Sequence, residues 1–157
     1  MRRSVGRSVL FWIAVAGSAF AVGWPPEMRR ELERAKTIYV ASERKDGTRS
    51  PAAPVWFGLL DGELWINTKP TSYKARRARK GRRLFVGLSP DGPFVAARAE
   101  LSTDPGLAER LGELYARKYW LAWLGFYRPS AKKVEEGRIV LVRLVPLPPE
   151  PGGKSVP

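Results

Sequence analysis

The chain has 157 residues, one ordinary domain's worth, with 44% hydrophobic and 27% charged residues, so neither wholesale disorder nor a multi-span membrane protein fits. It contains no cysteine and no histidine, which excludes disulfides, thiolate and imidazole metal sites, and Ser-His or Cys-His nucleophile pairs; no metal site is expected. Lys and Arg number 28 against 15 Asp and Glu, a formal charge of +13, and such an excess implies an anionic partner: a nucleic acid, an anionic membrane surface or a phosphorylated small molecule.

Arg2, Arg3 and Arg7 precede an uncharged, apolar run over residues 8–24, after which the chain turns at Pro25-Pro26. The run is shorter than the roughly 20 residues of a straight membrane span, and Ala19-Phe20-Ala21 has the small-x-small form that signal peptidase accepts. Residues 1–27 therefore read as a signal peptide, or as a retained anchor with Trp24 at the membrane interface and the arginines inside. A third reading starts the protein at Met28. The first two make it exported or membrane-anchored, with membrane contact through residues 1–27, and the third makes it cytoplasmic.

Residues 37–43 form the first predicted strand. Asp46-Gly47, Asp61-Gly62 and Asp91-Gly92 then mark three hairpin turns, since these dipeptides supply the positive backbone torsions that tight turns need. Strands over 55–60 and 64–67 flank the second turn, and strands over 84–89 and 94–101 flank the third. Between the two pairs lies a helix over 73–80, capped by Ser72 and stopped by Gly81. A second helix follows the strand over 94–101, with Thr103 or Asp104 as cap, Pro105 in the first turn, and Leu107, Leu111 and Leu114 on one face. A sixth strand over 138–145 is apolar on both faces. Six strands with two inserted helices predict a mainly β fold, a small antiparallel barrel that removes its edges by closing on itself. From Pro146 to residue 157 the chain is Pro- and Gly-rich and reads as a mobile tail, which leaves residues 28–145 as the domain.

The sharpest chemical feature is the stretch 69–83. It holds Lys69, Lys74, Arg76, Arg77, Arg79, Lys80, Arg82 and Arg83 and no acid. It begins where the strand ending Asn67-Thr68 hands over to the Ser72-capped helix, so hydroxyls, free N–H groups and a positive helix end converge. Thr68, Ser72 and Lys74 can share one spot and hold a phosphate, whereas Arg77 and Lys80 are expected to face outward. Glu109 and Glu113 read as surface charges beside Arg110 and Arg117, and no catalytic acid or base is identified. Residues 119–127 are strongly aromatic, which fits core or dimer packing, or stacking on a ligand.

Tyr39-Val40-Ala41-Ser42 with Asp46-Gly47, Ala53-Pro54-Val55-Trp56-Phe57, Leu64-Trp65-Ile66-Asn67-Thr68 and Ser72-Tyr73-Lys74-Ala75-Arg76 occur in this order over residues 29–145. In these motifs the chain resembles the pyridoxamine 5′-phosphate oxidase-like flavin-binding split barrels. The resemblance implies a homodimeric six-stranded split β-barrel that binds FMN, or the deazaflavin coenzyme F-420, at the dimer interface. It also implies that Pro54, Val55 and Trp56 line the isoalloxazine, that Thr68, Ser72, Lys74 and Arg76 take the phosphate, and that Trp120 and Trp123 stack on the ring or substrate from the partner subunit. This chain has Arg76-Arg77 and Lys80-Gly81 where the family commonly has Arg-Asn and Asn-Pro. It also lacks the C-terminal segment that carries substrate residues in true pyridoxamine phosphate oxidases, so vitamin B6 oxidation is not expected.

The function so implied is a flavin- or deazaflavin-dependent oxidoreductase acting on a small organic molecule, the cofactor carrying the hydride chemistry. The alternatives are a non-catalytic flavin or anion binder of the same fold and a basic nucleic-acid-binding protein. Nucleic acid is the least expected partner, because the aromatics lie away from the arginines.

Overall fold

The computed structural model of the protein describes residues 23–151, so the expected leader or anchor lies outside the described residues as far as Val22, and so does the tail from Gly152. Among the described residues no helix is long and apolar enough to cross a membrane. The chain opens with α1 (Pro26–Arg34), in which Pro26 occupies the first turn, where its missing N–H costs nothing. Met28 and Leu32, one turn apart, are buried, and so is Trp24 just ahead of the helix at 6% exposure. Trp24 is thus a core residue of the domain rather than an interfacial anchor.

Seven strands follow: β1 (Ile38–Ser42), β2 (Ala53–Val55), β3 (Gly58–Leu60), β4 (Glu63–Thr68), β5 (Leu84–Gly87), β6 (Phe94–Ser102) and β7 (Val140–Pro146). They form one antiparallel sheet in the order β2-β1-β5-β6-β7-β4-β3. Its two outermost strands, β2 and β3, are consecutive in the chain and joined only through Trp56 and Phe57. The sheet therefore curls until its two edges are neighbours, which is the split barrel expected from the sequence. Asp61 and Gly62 both have positive φ, 53° and 77°, the pair that a tight β3–β4 hairpin requires. The interior is filled by Ile38, Val40, Leu64, Ile66, Leu84, Val86, Val142 and Leu144, with Trp24, Met28 and Leu32 of the α1 segment closing the cluster.

Four more helices lie outside or between the strands. They are α2 (Tyr73–Arg79), α3 (Pro105–Lys118), α4 (Trp120–Trp123) and α5 (Ala131–Glu135). Asp104 caps α3 by accepting from the Gly106 N–H at 2.9 Å, with Pro105 in the first turn, as the sequence predicts. Ala108, Leu111 and Tyr115 of α3 pack with Trp65, Leu141, Val134 and Ala122 in a second core on the outer face of the sheet. This explains why β7 is apolar on both sides. Gly58 permits the approach of α3, because a Cβ there would sit 2.6 Å from Leu111 Cδ1.

The strand expected over 55–60 is broken into β2 and β3, which is why there are seven strands and not six. The cause is a competition for backbone groups. The Tyr119 hydroxyl accepts from the Phe57 N–H at 3.0 Å and donates to the Phe57 carbonyl at 2.9 Å, while the Tyr115 hydroxyl donates to the Trp56 carbonyl at 2.8 Å. Side chains at the end of α3 thus take the ladder positions that a neighbouring strand would occupy. The tail also starts later than expected: Pro146 pairs with Ala97 in the sheet, and the Leu147 N–H donates to the Ala96 carbonyl at 2.8 Å.

Tyr119→Phe leaves the buried Phe57 N–H without a partner and is expected to cost about 1–3 kcal/mol. Leu124→Ala, at an exposed site, is expected to cost less than about 0.5 kcal/mol. Urea unfolding of both variants measures the difference, and equal losses would contradict the role given to the tyrosine.

Candidate functional site

At the phosphate corner expected from the sequence, β4 ends at Thr68 and a short loop leads into α2. The Thr68 hydroxyl donates to Ser72 Oγ at 2.9 Å, and the same oxygen caps the helix by accepting from the Ala75 N–H at 3.2 Å. Both acceptor positions of Ser72 Oγ are used, which leaves its own hydrogen free to donate. The first N–H groups of α2 have no acceptor within the helix. Lys74, in this first turn, is half-buried, and burial alone pulls its ammonium below the ordinary lysine range, with no carboxylate offsetting the loss of water.

Half of the basic run is used structurally. Arg77 donates to Ser42 Oγ at 2.7 Å, Arg79 to the Pro70 carbonyl at 2.6 Å and Arg82 to the Arg44 carbonyl at 2.9 Å. Arg83 forks onto Glu43 and also reaches Glu150 at 2.7 Å, and its guanidinium holds the Glu43 carboxyl below its usual range. Arg77 is therefore not outward-facing: it is half-buried and docks α2 onto the buried Ser42 of β1. Lys69, Arg76 and Lys80 are exposed, whereas Arg77 is half-buried with the neutral Ser42 hydroxyl as partner and Lys74 is half-buried with no carboxylate beside it. Arg76 lies on a different face of the helix, its guanidinium 5.9 Å from the Tyr73 ring centroid.

Pro54, Val55 and Trp56 send their side chains in three directions. Pro54 is exposed on β2, which pairs with β1 alone; Val55 packs into the barrel interior; and Trp56 joins the outer core. The Trp56 ring is stacked on Tyr119 at 4.2 Å and meets Tyr115 and Tyr127 edge-on at 6.4 and 5.7 Å. Within one protomer, Trp56 also lines an open cavity of about 650 Å³ together with Trp120, Trp123, Lys36, Arg117 and Lys118. Trp120 and Trp123 are exposed on α4, as are Leu124, Phe126 and Tyr127 beyond it.

Lys118 is the second perturbed ammonium. Burial, then the charge of Lys36, lower it to about 8. Its Nζ sits 3.2 Å from the Phe57 ring centroid and 3.3 Å from the Phe57 carbonyl, while Lys36 Nζ donates to the Lys118 carbonyl at 3.0 Å. Burial raises Tyr115 and pushes Tyr119 up to about 12, so both remain hydroxyl donors. Sequence reasoning missed Lys36, Lys118 and the two tyrosines. Tyr115 falls one turn after Leu111 and was legible only as another core position, and Lys36 carried no signal.

No protein-family model and no curated protein matches this chain. Solved structures do. A provisionally assigned pyridoxamine 5′-phosphate oxidase from Listeria innocua is 20% identical and superposes with a TM-score of 0.55 over 78% of this chain and 92% of its own. A conserved hypothetical protein from Mycobacterium tuberculosis is 23% identical with a TM-score of 0.56, over 87% and 96% of the two chains. An FAD-binding protein from Mesorhizobium loti is 18% identical with a TM-score of 0.54, over 78% and 87%. The fold is the split barrel of the pyridoxamine 5′-phosphate oxidase-like proteins.

A lysine lowered to about 8 releases its proton earlier in the folded chain than in the unfolded one, where lysine titrates near about 10.4. Between those values the unfolded chain binds more protons, so stability is expected to rise with pH from about 8 to 10. Lys118→Met should flatten that rise. Guanidinium unfolding of both proteins across the window measures it, and identical slopes would show that Lys118 is not desolvated.

Proposed function

We propose that the chain is a flavoprotein of the split-barrel type, with FMN as cofactor, that serves as an oxidoreductase on a small organic molecule. The observation that carries this reading is Lys74, a half-buried ammonium with no internal counter-charge, set two residues beyond the Thr68–Ser72 hydroxyl pair. Leaving a buried cation unpaired is costly unless a ligand anion completes it, and a phosphomonoester supplies both the charge and the acceptors. The donor set thus fits the 5′-phosphate of FMN. Lys74 contributes the charge, Ser72 and the first N–H groups of α2 contribute hydrogen bonds, and Arg76 adds a more distant positive field. The FAD-binding neighbour of the same fold supports a flavin.

A bound flavin supplies hydride transfer, and the protein's part is to bind, orient and shield it. In this chain the edge of β2 around Pro54 offers an exposed backbone against which a planar ring can lie. The deazaflavin F-420, also a phosphate ester, is the alternative occupant of the same donor set. We further propose that the functional unit is a homodimer, because Leu124, Phe126 and Tyr127, beyond α4, are exposed large side chains that a second copy would cover.

Lys74→Ala is expected to weaken FMN binding by about tenfold to hundredfold, the equivalent of a charged hydrogen bond worth roughly 1.5–3 kcal/mol, while Lys80→Ala changes it less than about twofold. Fluorescence titration of FMN into each apo variant reads this out; equal losses would point to a diffuse basic surface. Parallel titrations with F-420 rank the two cofactors. Sedimentation velocity of residues 23–157 at micromolar concentration is expected to show a dimer, and a flavin-bound monomer would remove the interface.

A further inference from the structure

We infer that the cavity lined by Trp56, Trp120, Trp123, Lys36, Arg117 and Lys118 is a binding site for a planar aromatic carboxylate, its ring against the indoles and its anionic group facing Lys36 and Lys118. The inference goes beyond the flavin reading and does not depend on it. Volume comes first: about 650 Å³ is within the range of small-molecule sites and leaves room for a bicyclic ring. The walls come second, since three indoles converge on one cavity although Trp56 lies between β2 and β3 and Trp120 and Trp123 lie on α4, 64 residues or more away in the chain.

Charge decides the chemical class. The three cations lining the cavity come from two separate elements: Lys36 from the link between α1 and β1, and Arg117 and Lys118 from the last turn of α3. No carboxylate is among the lining residues, and none of the three cations forms an ion pair among the described residues. Glu33 lines a separate cavity of about 350 Å³ that Arg117 and Lys118 also line. Lys118 Nζ has three donors, of which the Phe57 carbonyl takes one and the Phe57 ring face one more. A carboxylate entering the cavity supplies the missing acceptor and the missing counter-charge. A neutral aromatic satisfies the indoles only and leaves two ammonium groups facing each other across an apolar wall.

The test is isothermal titration of the full-length protein, without flavin, using 2-naphthoate and its neutral counterpart 2-naphthamide. The naphthoate is expected to bind at least tenfold more tightly than the amide. Lys118→Met and Lys36→Met should each erode that ratio toward one, and Trp123→Ala should weaken both probes by a similar factor. Naphthoate affinity should also fall as the pH is raised past about 8, where Lys118 discharges. Equal affinity for acid and amide, or a ratio that both lysine variants leave untouched, overturns the inference. Absence of naphthoate binding at millimolar concentration overturns it as well. Circular dichroism of each variant separates loss of the site from loss of the fold. Because the titration contains no flavin, its failure leaves the phosphate corner standing, and failure of FMN to bind leaves this cavity standing.

Discussion

The closure of this barrel rests on one phenol. Tyr119, at the end of α3, takes both the N–H and the carbonyl of Phe57 on its single hydroxyl and, together with the Tyr115 hydroxyl on the Trp56 carbonyl, draws these two residues away from any strand partner. Without that substitution, residues 53–60 would have to run as one straight strand and could pair along only one edge. With it, the chain turns at Trp56 and Phe57 and reaches both edges of the sheet, β1 on one side and β4 on the other. The same contact fixes the α3 terminus and stacks Trp56 on the Tyr119 ring. The aromatic cavity and the perturbed Lys118 beside it therefore exist because the barrel closes in this way.

The strong positive charge resolves into two different uses. Arginines in and around α2 mostly act as structural donors, tying the helix and its flanks to Ser42, to carbonyls and to Glu43, where their planar, multidentate heads serve better than an ammonium would. The half-buried lysines Lys74 and Lys118 do the opposite, each losing water without gaining an internal anion; Lys133, also lowered by burial, donates instead to the Arg128 carbonyl. A desolvated and unpaired lysine is expensive for a fold to keep, which is the ground on which we propose an external anion at each.

Much of this was legible from the residues. The Asp-Gly turns, the Ser72 and Asp104 caps, the alternation in β4 to β7 and the placing of Thr68 beside Ser72 all follow from local rules, and the structure has them. The misses share a physical cause. The break at Trp56 and Phe57 is imposed by tyrosines some sixty residues downstream, and nothing in the local pattern of apolar side chains records a hydroxyl arriving from elsewhere. Arg77 looked like one more solvated charge because its partner, Ser42, lies on a strand far off in sequence. Trp24 was assigned to an apolar leader because composition is continuous across that boundary, although burial is what ties it to Met28 and Leu32.

The strand order also governs the sequence of events during synthesis. β7 lies between β6 and β4, and among the described residues it is the strand that joins the β2-β1-β5-β6 half of the sheet to the β4-β3 half. Leu64 meets Leu144 across that seam. Until residues 140–146 have left the ribosome, the two halves are held together only by the chain itself, with Ile66 and Leu64 on one side and Ala97 and Ala99 on the other lacking the strand that covers them. A nascent chain of this protein therefore remains unsealed until β7 has emerged, and whatever receives it meets open sheet edges up to that moment.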